Sequence, residues 1–231
     1  MINAPTRRHD RMPRTNAKSA PSASFDNVVH DLELDIVLGR MRPRERLIED
    51  ELMLRFGAKR HVVRSAIVEM ERRGLVERRQ NQGARVRDYS KDEVRALYAF
   101  RADLHKLAVS RMTLPLPETV TRELTALAEA HESACQRADL AQVIEFNNAF
   151  HDLLFDQCGN PFISETVRRM AAASNAIRSY RIGDADLLHQ AAQEHREMIA
   201  ASRAGNRDVL SSLCVAHILP SLELYLRDNT R

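Results

Sequence analysis

Several features are scarce in this chain of 231 residues, and each scarcity excludes a class of protein. Tryptophan is absent, aromatic residues make up only 5% of the chain, and glycine occurs 7 times. An all-β sandwich or barrel needs many more turn residues and aromatic strand residues, so this composition excludes that class. No stretch approaches the roughly 18 uninterrupted apolar residues of a membrane span, and the N-terminus lacks the apolar segment of a secretory signal.

The cysteines are few as well. Cys135, Cys158 and Cys214 are odd in number and widely spaced, which excludes a disulfide framework and a zinc knuckle. Apolar residues make up 44% of the chain and charged residues 29%, a balance typical of soluble proteins with a real core. We therefore expect a soluble, cytoplasmic, mainly α-helical protein without a membrane partner.

Charge is distributed unevenly along the chain. Residues 1–90 carry 19 Lys and Arg against 13 Asp and Glu, a net charge of +6. Residues 91–231 carry 16 against 19, a net charge of −3. A basic half joined to a mildly acidic half indicates a module that binds polyanions attached to a second unit, although a solvated basic face would give the same counts.

The chain divides into three predicted parts. Residues 1–24 hold almost no large apolar side chains and are rich in Arg, Pro, Ser and Ala, so we expect a disordered basic tail. Residues 25–90 predict a helix that Gly39 ends, a helix over 49–56, a helix over 59–73, and strands at 75–78 and 84–88. Three helices followed by a hairpin are typical of a winged helix-turn-helix, a DNA-binding unit.

The third of these helices has the chemistry of a DNA recognition helix. Its first turns carry four hydrogen-bond donors: Lys59, Arg60, His61 and Arg64. Arg60 and Arg64 share one face, and arginine suits bidentate contact with guanine in the major groove. Gln82 and Gly83 at the hairpin tip suit the minor groove or the phosphates. Further phosphate contacts are expected from Arg72, Arg73, Arg78, Arg79 and Arg85. A solvated basic helix without a partner is the alternative.

Residues 91–231 show helical periodicity without a strand pattern, so we expect an all-α bundle of six helices. Prolines and glycines place the helices at about 91–113, 118–136, 139–159, 161–182, 186–204 and 206–229, with Pro220 kinking the last. Three helices carry a histidine on an apolar stripe: His151, His195 and His217. One such histidine is more often a core residue. Three together, with Asn147 one turn before His151, indicate ligands for a divalent transition metal.

Some other polar residues of this half suit an anion-binding site, and the rest have no specific predicted role. The arginines that suit an anion are Arg101, Arg178 and Arg181. The remaining histidines, which fit the apolar stripes less well and are expected at the surface or beside the ligand set, are His105, His131 and His189.

Residues 25–90 resemble the DNA-binding domain of GntR-family transcription regulators. The resemblance rests on residues at the family's intervals: Gly39, Pro43, Leu47, Glu49, Gly57, Arg60, Val63, Arg64, Ala66, Gly74, Leu75, Val76, Asn81 and Gly83. It implies that Arg60 and Arg64 read bases and that the wing centres on Gly83. The departures are Arg44 in place of Gly, Lys59 in place of Ser, and His61–Val62 in place of Thr-Pro. They bear on which operator sequence is bound.

Residues 91–229 are similar to the FCD effector-binding domain of one large GntR subfamily. The segments that carry this resemblance are NNAFHDLLFDQCGNP, EHREMIAASRAGN and AHI. The resemblance implies that Asn147, His151, His195 and His217 hold a metal ion, zinc or nickel, and that Arg101 binds the carboxylate of an effector. Asn147 stands where the family has Asp, which leaves the site one negative charge short, and His105 stands where it has Glu. Six helices rather than seven would place the domain near the VanR-like group.

The predicted function is a DNA-binding transcriptional regulator, with repression expected from the family. A homodimer would place two winged units on a pseudo-palindromic operator, and a small organic acid in the bundle would change the operator affinity. Two alternatives stay open. One is an architectural DNA-binding protein with an inert dimerisation bundle, and the other is a metalloenzyme in which three histidines activate water. The bundle offers few candidates for a general base beside the histidines, which disfavours the enzyme.

Overall fold

The computed structural model describes residues 23–79, 83–175, 177–178 and 184–228. We call residues 23–90 the N-terminal unit and residues 91–228 the C-terminal bundle. The elements of the N-terminal unit are α1 (Phe25–Val37), β1 (Arg46–Leu47), α2 (Glu49–Phe56), α3 (Arg60–Arg72), β2 (Val76–Arg79) and β3 (Gly83–Val86). Three sets of residues with predicted roles lie outside the described residues: residues 1–22 of the predicted tail, Gln82 and Arg181.

Local chemistry explains where these helices begin and end. The Ser24 side chain caps α1 by accepting a hydrogen bond from the Asn27 amide, and α2 ends at Gly57, whose φ of 59° lies in the left-handed region. Lys59 occupies the N-cap of α3 and makes no side-chain capping bond there. The family's serine would supply that bond, so this departure leaves the start of α3 less stable.

The three strands form an antiparallel sheet in the order β1-β3-β2, with Val76 opposite Val86 and Arg79 opposite Gly83. β1 was not predicted, because two residues are too short for an alternating pattern to emerge. The core beneath the sheet is contiguous, and its fully buried members include Leu32, Val63, Ala66, Met70 and Leu75. This core fixes α3 on the unit by its apolar stripe and leaves its basic face outward.

The C-terminal bundle consists, within the described residues, of α4 (Lys91–Arg111), α5 (Glu118–Gln136), α6 (Leu140–Asp156), α7 (Pro161–Ala173), α8 (Ala185–Arg203), α9 (Arg207–Ala216) and α10 (Leu219–Asp228). Its main core joins α4, α5, α6, α7, α8 and α9 through buried side chains such as Val109, Leu124, Phe150, Met198 and Leu210. The expected all-helical half is therefore confirmed.

Two helix boundaries differ from the prediction. The helix expected at 206–229 is two helices, because the chain turns at His217 and Ile218 and Pro220 then lies in the first turn of α10. N–H groups in the first turn of a helix have no partner within the helix, so a proline, which lacks this group, is tolerated there. Pro220 therefore lies at the start of a helix and does not kink one as predicted. In the helix expected at 161–182, α7 ends at Ala173, residues 175, 177 and 178 are again helical, and residues 176 and 179–182 lie outside the described residues. The VanR-like assignment, which rested on six helices, stays a prediction.

The stretch Arg207–Arg227 is long and apolar enough to cross a membrane by length and composition. Core helices of soluble proteins pass the same test. Here the stretch is broken between α9 and α10, and the break places His217 against a polar cavity inside the bundle. We therefore interpret it as two packing helices of the bundle.

The two units pack directly on each other. Val37 at the end of α1 and Ile144 in α6 are both buried, in a small apolar cluster with Leu34, Leu38 and Leu140. At Gly74, φ is 78°, and a methyl group would lie 3.3 Å from the Tyr89 hydroxyl and 3.4 Å from Cβ of Ala173. The turn after α3 therefore approaches the end of α7 so closely that glycine suits it best.

Candidate functional site

The predicted recognition surface lies at the start of α3 and is exposed. Lys59, Arg60, His61 and Arg64 all lie on this surface. Gly83 opens β3 with a φ of 74°, a conformation that glycine adopts without strain, and it too is exposed. The structure thus places these five residues on the N-terminal unit where a duplex can reach them, and their contacts with DNA stay a prediction.

Acidic side chains of α2 hold both recognition arginines. Arg60 Nη2 donates to Asp50 Oδ1 at 2.5 Å, and Arg64 Nε donates to Glu49 Oε1 at 2.8 Å. The Arg64 guanidinium keeps the pKa of Glu49 below its usual range, so the pair is ionised at neutral pH. Exposed pairs of this kind contribute only about 0.2–1 kcal/mol each, so a phosphate or a guanine can displace the carboxylate.

These partners were missed from the sequence. The signal was present, since Glu49, Asp50 and Glu51 occupy the first turn of α2, where acidic residues are favoured by the helix dipole. Only the angle between α2 and α3 brings two of them to the arginines. Arg72 and Arg73 also differ from expectation: both pair with Glu69 at the other end of α3 and line a cavity next to the C-terminal bundle.

That cavity has a volume of about 540 Å³ and opens between the helices of the bundle. It extends from His151 and His217 in the bundle to Arg72 and Arg73 at the end of α3. A space of this size accommodates a small organic molecule, and its lining combines apolar walls with several cationic groups.

The three predicted histidines lie close together, and two of them, His151 and His217, line this cavity. His151 lies on α6, His195 on α8 and His217 at the turn between α9 and α10, and one ring nitrogen from each lies within 4.8 Å of the others. The Nε2 atoms of His151 and His195 are 3.3 Å apart. Two nitrogens bound at about 2.1 Å by one tetrahedral zinc ion lie roughly 3.4 Å apart, so this pair is already spaced as metal ligands. We call these residues the histidine triad.

A carboxylate behind the triad orients one of its rings. Glu194 Oε2 accepts a hydrogen bond from Nδ1 of His217 at 2.6 Å, and both side chains are buried. Glu194 Oε1 in turn accepts from Gln190 at 2.7 Å. Holding the proton on Nδ1 leaves the lone pair on Nε2 of His217 for a metal ion, an arrangement common around metal-bound histidine. Sequence reasoning missed Glu194, because nothing in the spacing of α8 links it to His217.

The protonation state of His151 suits a metal ion. Burial, together with the charges of His217, His195 and other basic neighbours, lowers the pKa of His151 well below its usual range. His151 is therefore neutral at physiological pH, which is the form of imidazole that binds metals. Its Nδ1 is buried and has no hydrogen-bond partner among the described residues.

The remaining predicted ligand and two other histidines also lie inside. Asn147 is buried one turn before His151 and lines the same cavity. His105 and His131 were expected at the surface or beside the ligand set, and the structure excludes the surface for both, since each is buried and lines the cavity. His131 belongs to the stripe of Leu124 and Ala128 on α5, a spacing that would have predicted its burial. His189 is exposed, as expected.

Arg101 is the most unusual group of the cavity wall. It is only 5% exposed, and its guanidinium lies over the Tyr98 ring, 5.0 Å from the centroid. Burial lowers the pKa of Arg101, yet arginine stays protonated in proteins. Within the described part of the chain, its Nε has no hydrogen-bond partner and no carboxylate forms an ion pair with it. A buried cation of this kind attracts an anion to the cavity.

Comparisons with known proteins assign both halves. Residues 25–86 match the model described as "Bacterial regulatory proteins, gntR family", and residues 96–219 match the FCD domain. The chain is 25% identical over 204 residues to the "Uncharacterized HTH-type transcriptional regulator YdhC" of Bacillus subtilis, which covers 85% of this chain and 88% of that protein. It is 22% identical over 187 residues to the "HTH-type transcriptional repressor RspR" of Escherichia coli, with coverages of 81% and 82%.

A solved structure shows the same fold over most of the chain. The protein titled "E. coli McbR/YncC" superposes with a TM-score of 0.72 at 20% identity, covering 90% of this chain and 100% of that one. At this identity the likeness supports the architecture of both halves and their order, and it says nothing about ligands.

Proposed function

We propose a sensor function on the premise that this chain belongs to the gntR family of bacterial regulatory proteins, carries an FCD domain and is a DNA-binding transcriptional regulator. In this proposal, the C-terminal bundle senses a small carboxylate with the help of a divalent metal ion. One observation carries the proposal: Arg101, buried without a carboxylate partner among the described residues, lines the same cavity as His151 and His217, two members of the histidine triad. An inert dimerisation bundle gains nothing from a buried uncompensated cation, which destabilises it. The relatives are named as transcriptional regulators, which favours a regulator over an enzyme.

The donor set fits a zinc or nickel ion. His151, His195 and His217 supply imidazole nitrogens that suit a divalent transition metal, and the amide oxygen of Asn147 supplies a further donor from the same helix as His151. A bound ion would act as a Lewis acid toward a carboxylate. Because Asn147 carries no charge, the site is less negative than one with Asp at this position, and an anionic ligand complements it better.

The carboxylate would be oriented by the chain's own cations. Arg101 offers a planar fork of donors at the cavity wall, and Arg178 lines the cavity with it. A ligand that bridges Arg101 and the triad would exclude water from both. We place this regulator in the cytoplasm, where it would meet its operator.

A homodimer provides the second recognition surface. On α4, Phe100 and Leu107 are exposed on one face, and α9 and α10, which pack against α4, expose Val209 and Leu219. An apolar surface of this kind suits a second copy of the chain. Two copies would present two α3 helices to the half-sites of a pseudo-palindromic operator. We expect repression in the absence of ligand, as the name of the relative RspR suggests.

Thermal unfolding of the full chain tests the sensor. The protein is stripped of metal and unfolded with Zn²⁺ or Ni²⁺, alone and combined with citrate, malate, benzoate or gluconate. A ligand at one hundred times its dissociation constant adds about 2.7 kcal/mol, which is several degrees in Tm for a protein of this size. Arg101→Met and His151→Ala should lose the shift, whereas the exposed control His189→Ala should keep it.

A Tm that no acid changes, or a shift that Arg101→Met retains, would favour the inert bundle. Acids that shift Tm are then added to gel-shift assays on the DNA that flanks the coding region. Loss of the retarded band with Arg64→Ala, and its dependence on the acid in the unmodified chain, are the expected results.

A further inference from the structure

Hydrogen bonds in series connect the cavity to the recognition helix. On the side of the bundle, Arg178 Nη1 donates to Asn148 Oδ1 at 2.9 Å and to Asn175 Oδ1 at 3.0 Å. Asn148 precedes His151 by three residues on α6, and all these side chains line the cavity. Asn175 is 2% exposed, so these hydrogen bonds satisfy the polar atoms of a buried amide.

The series continues into the N-terminal unit. Asn175 Nδ2 donates to Glu33 Oε1 at 2.9 Å, a bond between residues 142 positions apart in the chain. The other oxygen of Glu33, on α1, accepts from Arg73 Nη1. Arg73 Nε donates to Glu69 Oε1 at 2.8 Å, and Arg72 donates to the same carboxylate. Glu69, Arg72 and Arg73 form the last turn of α3 and its C-cap.

Close packing surrounds this series. Gly74 follows Arg73 directly, and its backbone lies against Ala173, two residues before Asn175. The position of the last turn of α3 relative to the bundle is therefore defined both by van der Waals contact and by one part-buried hydrogen bond between the Asn175 amide and the Glu33 carboxylate.

Resting on the proposed sensor function, we propose that Asn175 is a positioning residue that couples the cavity to the recognition helix through Glu33. In the ligand-free chain, Arg178 holds the Asn175 amide so that its N–H group faces Glu33, and Glu33 holds Arg73. An anion in the cavity recruits the Arg178 guanidinium, since a charged acceptor binds it more strongly than an amide oxygen. Asn175 then loses its orienting partner, and the end of α3 is released from α1 and the bundle.

Asn175 has a size-matched test. Asn175→Asp keeps the acceptor for Arg178 and removes the donor to Glu33, placing two carboxylates at hydrogen-bond distance. Combining Glu33→Gln with Asn175→Asp restores the bond in the opposite sense. The amide introduced at position 33 then donates to the carboxylate introduced at position 175, while the amide oxygen still accepts from Arg73. The matched control is Glu132→Gln, which removes an ion pair with Arg196 elsewhere in the bundle.

The readout is hydrogen exchange of the Arg73, Gly74 and Leu75 amides in the full chain, which donate to carbonyls of the last turn of α3. Without ligand, Asn175→Asp should accelerate their exchange about fivefold or more, the effect of losing one part-buried hydrogen bond. The double variant should return to within about twofold of the unmodified chain, and Glu132→Gln should not change it. In the unmodified chain, Zn²⁺ with citrate should accelerate the same amides.

Equal exchange in Asn175→Asp and in the unmodified chain would overturn the coupling, as would a double variant that exchanges as fast as the single one. The ligand-free comparison is independent of the sensor function. If none of the four acids changes Tm in the unmodified chain with Zn²⁺ or Ni²⁺, the sensor proposal fails on that result, and the exchange of the variants still decides whether Asn175 positions α3.

Discussion

Replacing Glu194 with glutamine should weaken zinc binding while the chain stays folded. Glu194 accepts the Nδ1–H of His217 at 2.6 Å, and the two side chains are only 11% and 7% exposed. The carboxylate fixes the tautomer and raises the basicity of the ring, and glutamine keeps the shape without the charge. Removing such a partner lowers metal affinity by about 10–100-fold, or about 1.4–2.7 kcal/mol.

The assay is a competition titration of metal-stripped protein with Zn²⁺ and a chromogenic chelator at pH 7, next to thermal unfolding without metal. The control is Glu197→Gln on the same helix, an exposed residue that accepts from Gln193. We expect Glu197→Gln to bind Zn²⁺ as the unmodified chain does. An equal dissociation constant for Glu194→Gln, in a variant that unfolds normally, would refute the role given to this carboxylate and weaken the assignment of His217 as a ligand.

Four further outcomes follow from the contacts described. Burial and the charge of Arg101 lower the pKa of His105 to about 3. Between pH 6.5 and 3, His105 therefore binds a proton in the unfolded chain and stays neutral in the folded chain. Between pH 7 and pH 4.5, the free energy of unfolding should therefore fall by about 2.7 kcal/mol less in His105→Gln than in the unmodified chain. Urea unfolding measures this difference, and equal decreases would contradict the prediction. Asp50→Ala should remove the shorter of the two carboxylate contacts of Arg60, the other being Glu49 at 3.4 Å, and raise the affinity for a random-sequence duplex by up to about fivefold with a steeper salt dependence, as followed by fluorescence anisotropy; a lower affinity would show that Asp50 helps to bind DNA. Arg101→Met should abolish acid binding in calorimetry without lowering the stability of the ligand-free chain, because the cation has no ion-pair partner within the described residues, and a large loss of stability would refute this. Lys59→Ser should supply the missing N-cap and stabilise the N-terminal unit by about 1 kcal/mol, and an unchanged urea midpoint would show that α3 needs no cap.

Local signals predicted most of the helices. Gly57 and Gly74 mark helix ends because their backbones adopt positive φ, and the apolar stripe of α3 follows from its burial against one core. The same periodicity placed His195 and His217 inward, since a helix shows its face in the spacing of its residues. For His131 on α5 the prediction left the surface and a place beside the ligand set open, although the apolar stripe of the helix indicates burial.

The spacing of residues along the chain could not reveal which side chains these residues contact. Glu194 and His217 lie on different segments, and the angle between α8 and the turn after α9 sets their distance. Asp50 and Arg60 meet only because α2 and α3 cross at the turn around Gly57. The division of the last helix at His217 likewise reflects a turn that brings the imidazole to the cavity, which the apolar run alone does not reveal.

Amino-acid order by itself determined which segments are helical, which faces they bury and which side chains can read bases or bind a metal, because each of these depends on neighbours within a few turns. Tertiary structure decided what those side chains meet. Contacts across the fold determine four features: the ion pairs of the α3 arginines, the carboxylate behind His217, the buried charge of Arg101, and the hydrogen bond from the Asn175 amide to the Glu33 carboxylate. Burial and distance between remote segments set their energies, and neither quantity is local in the chain.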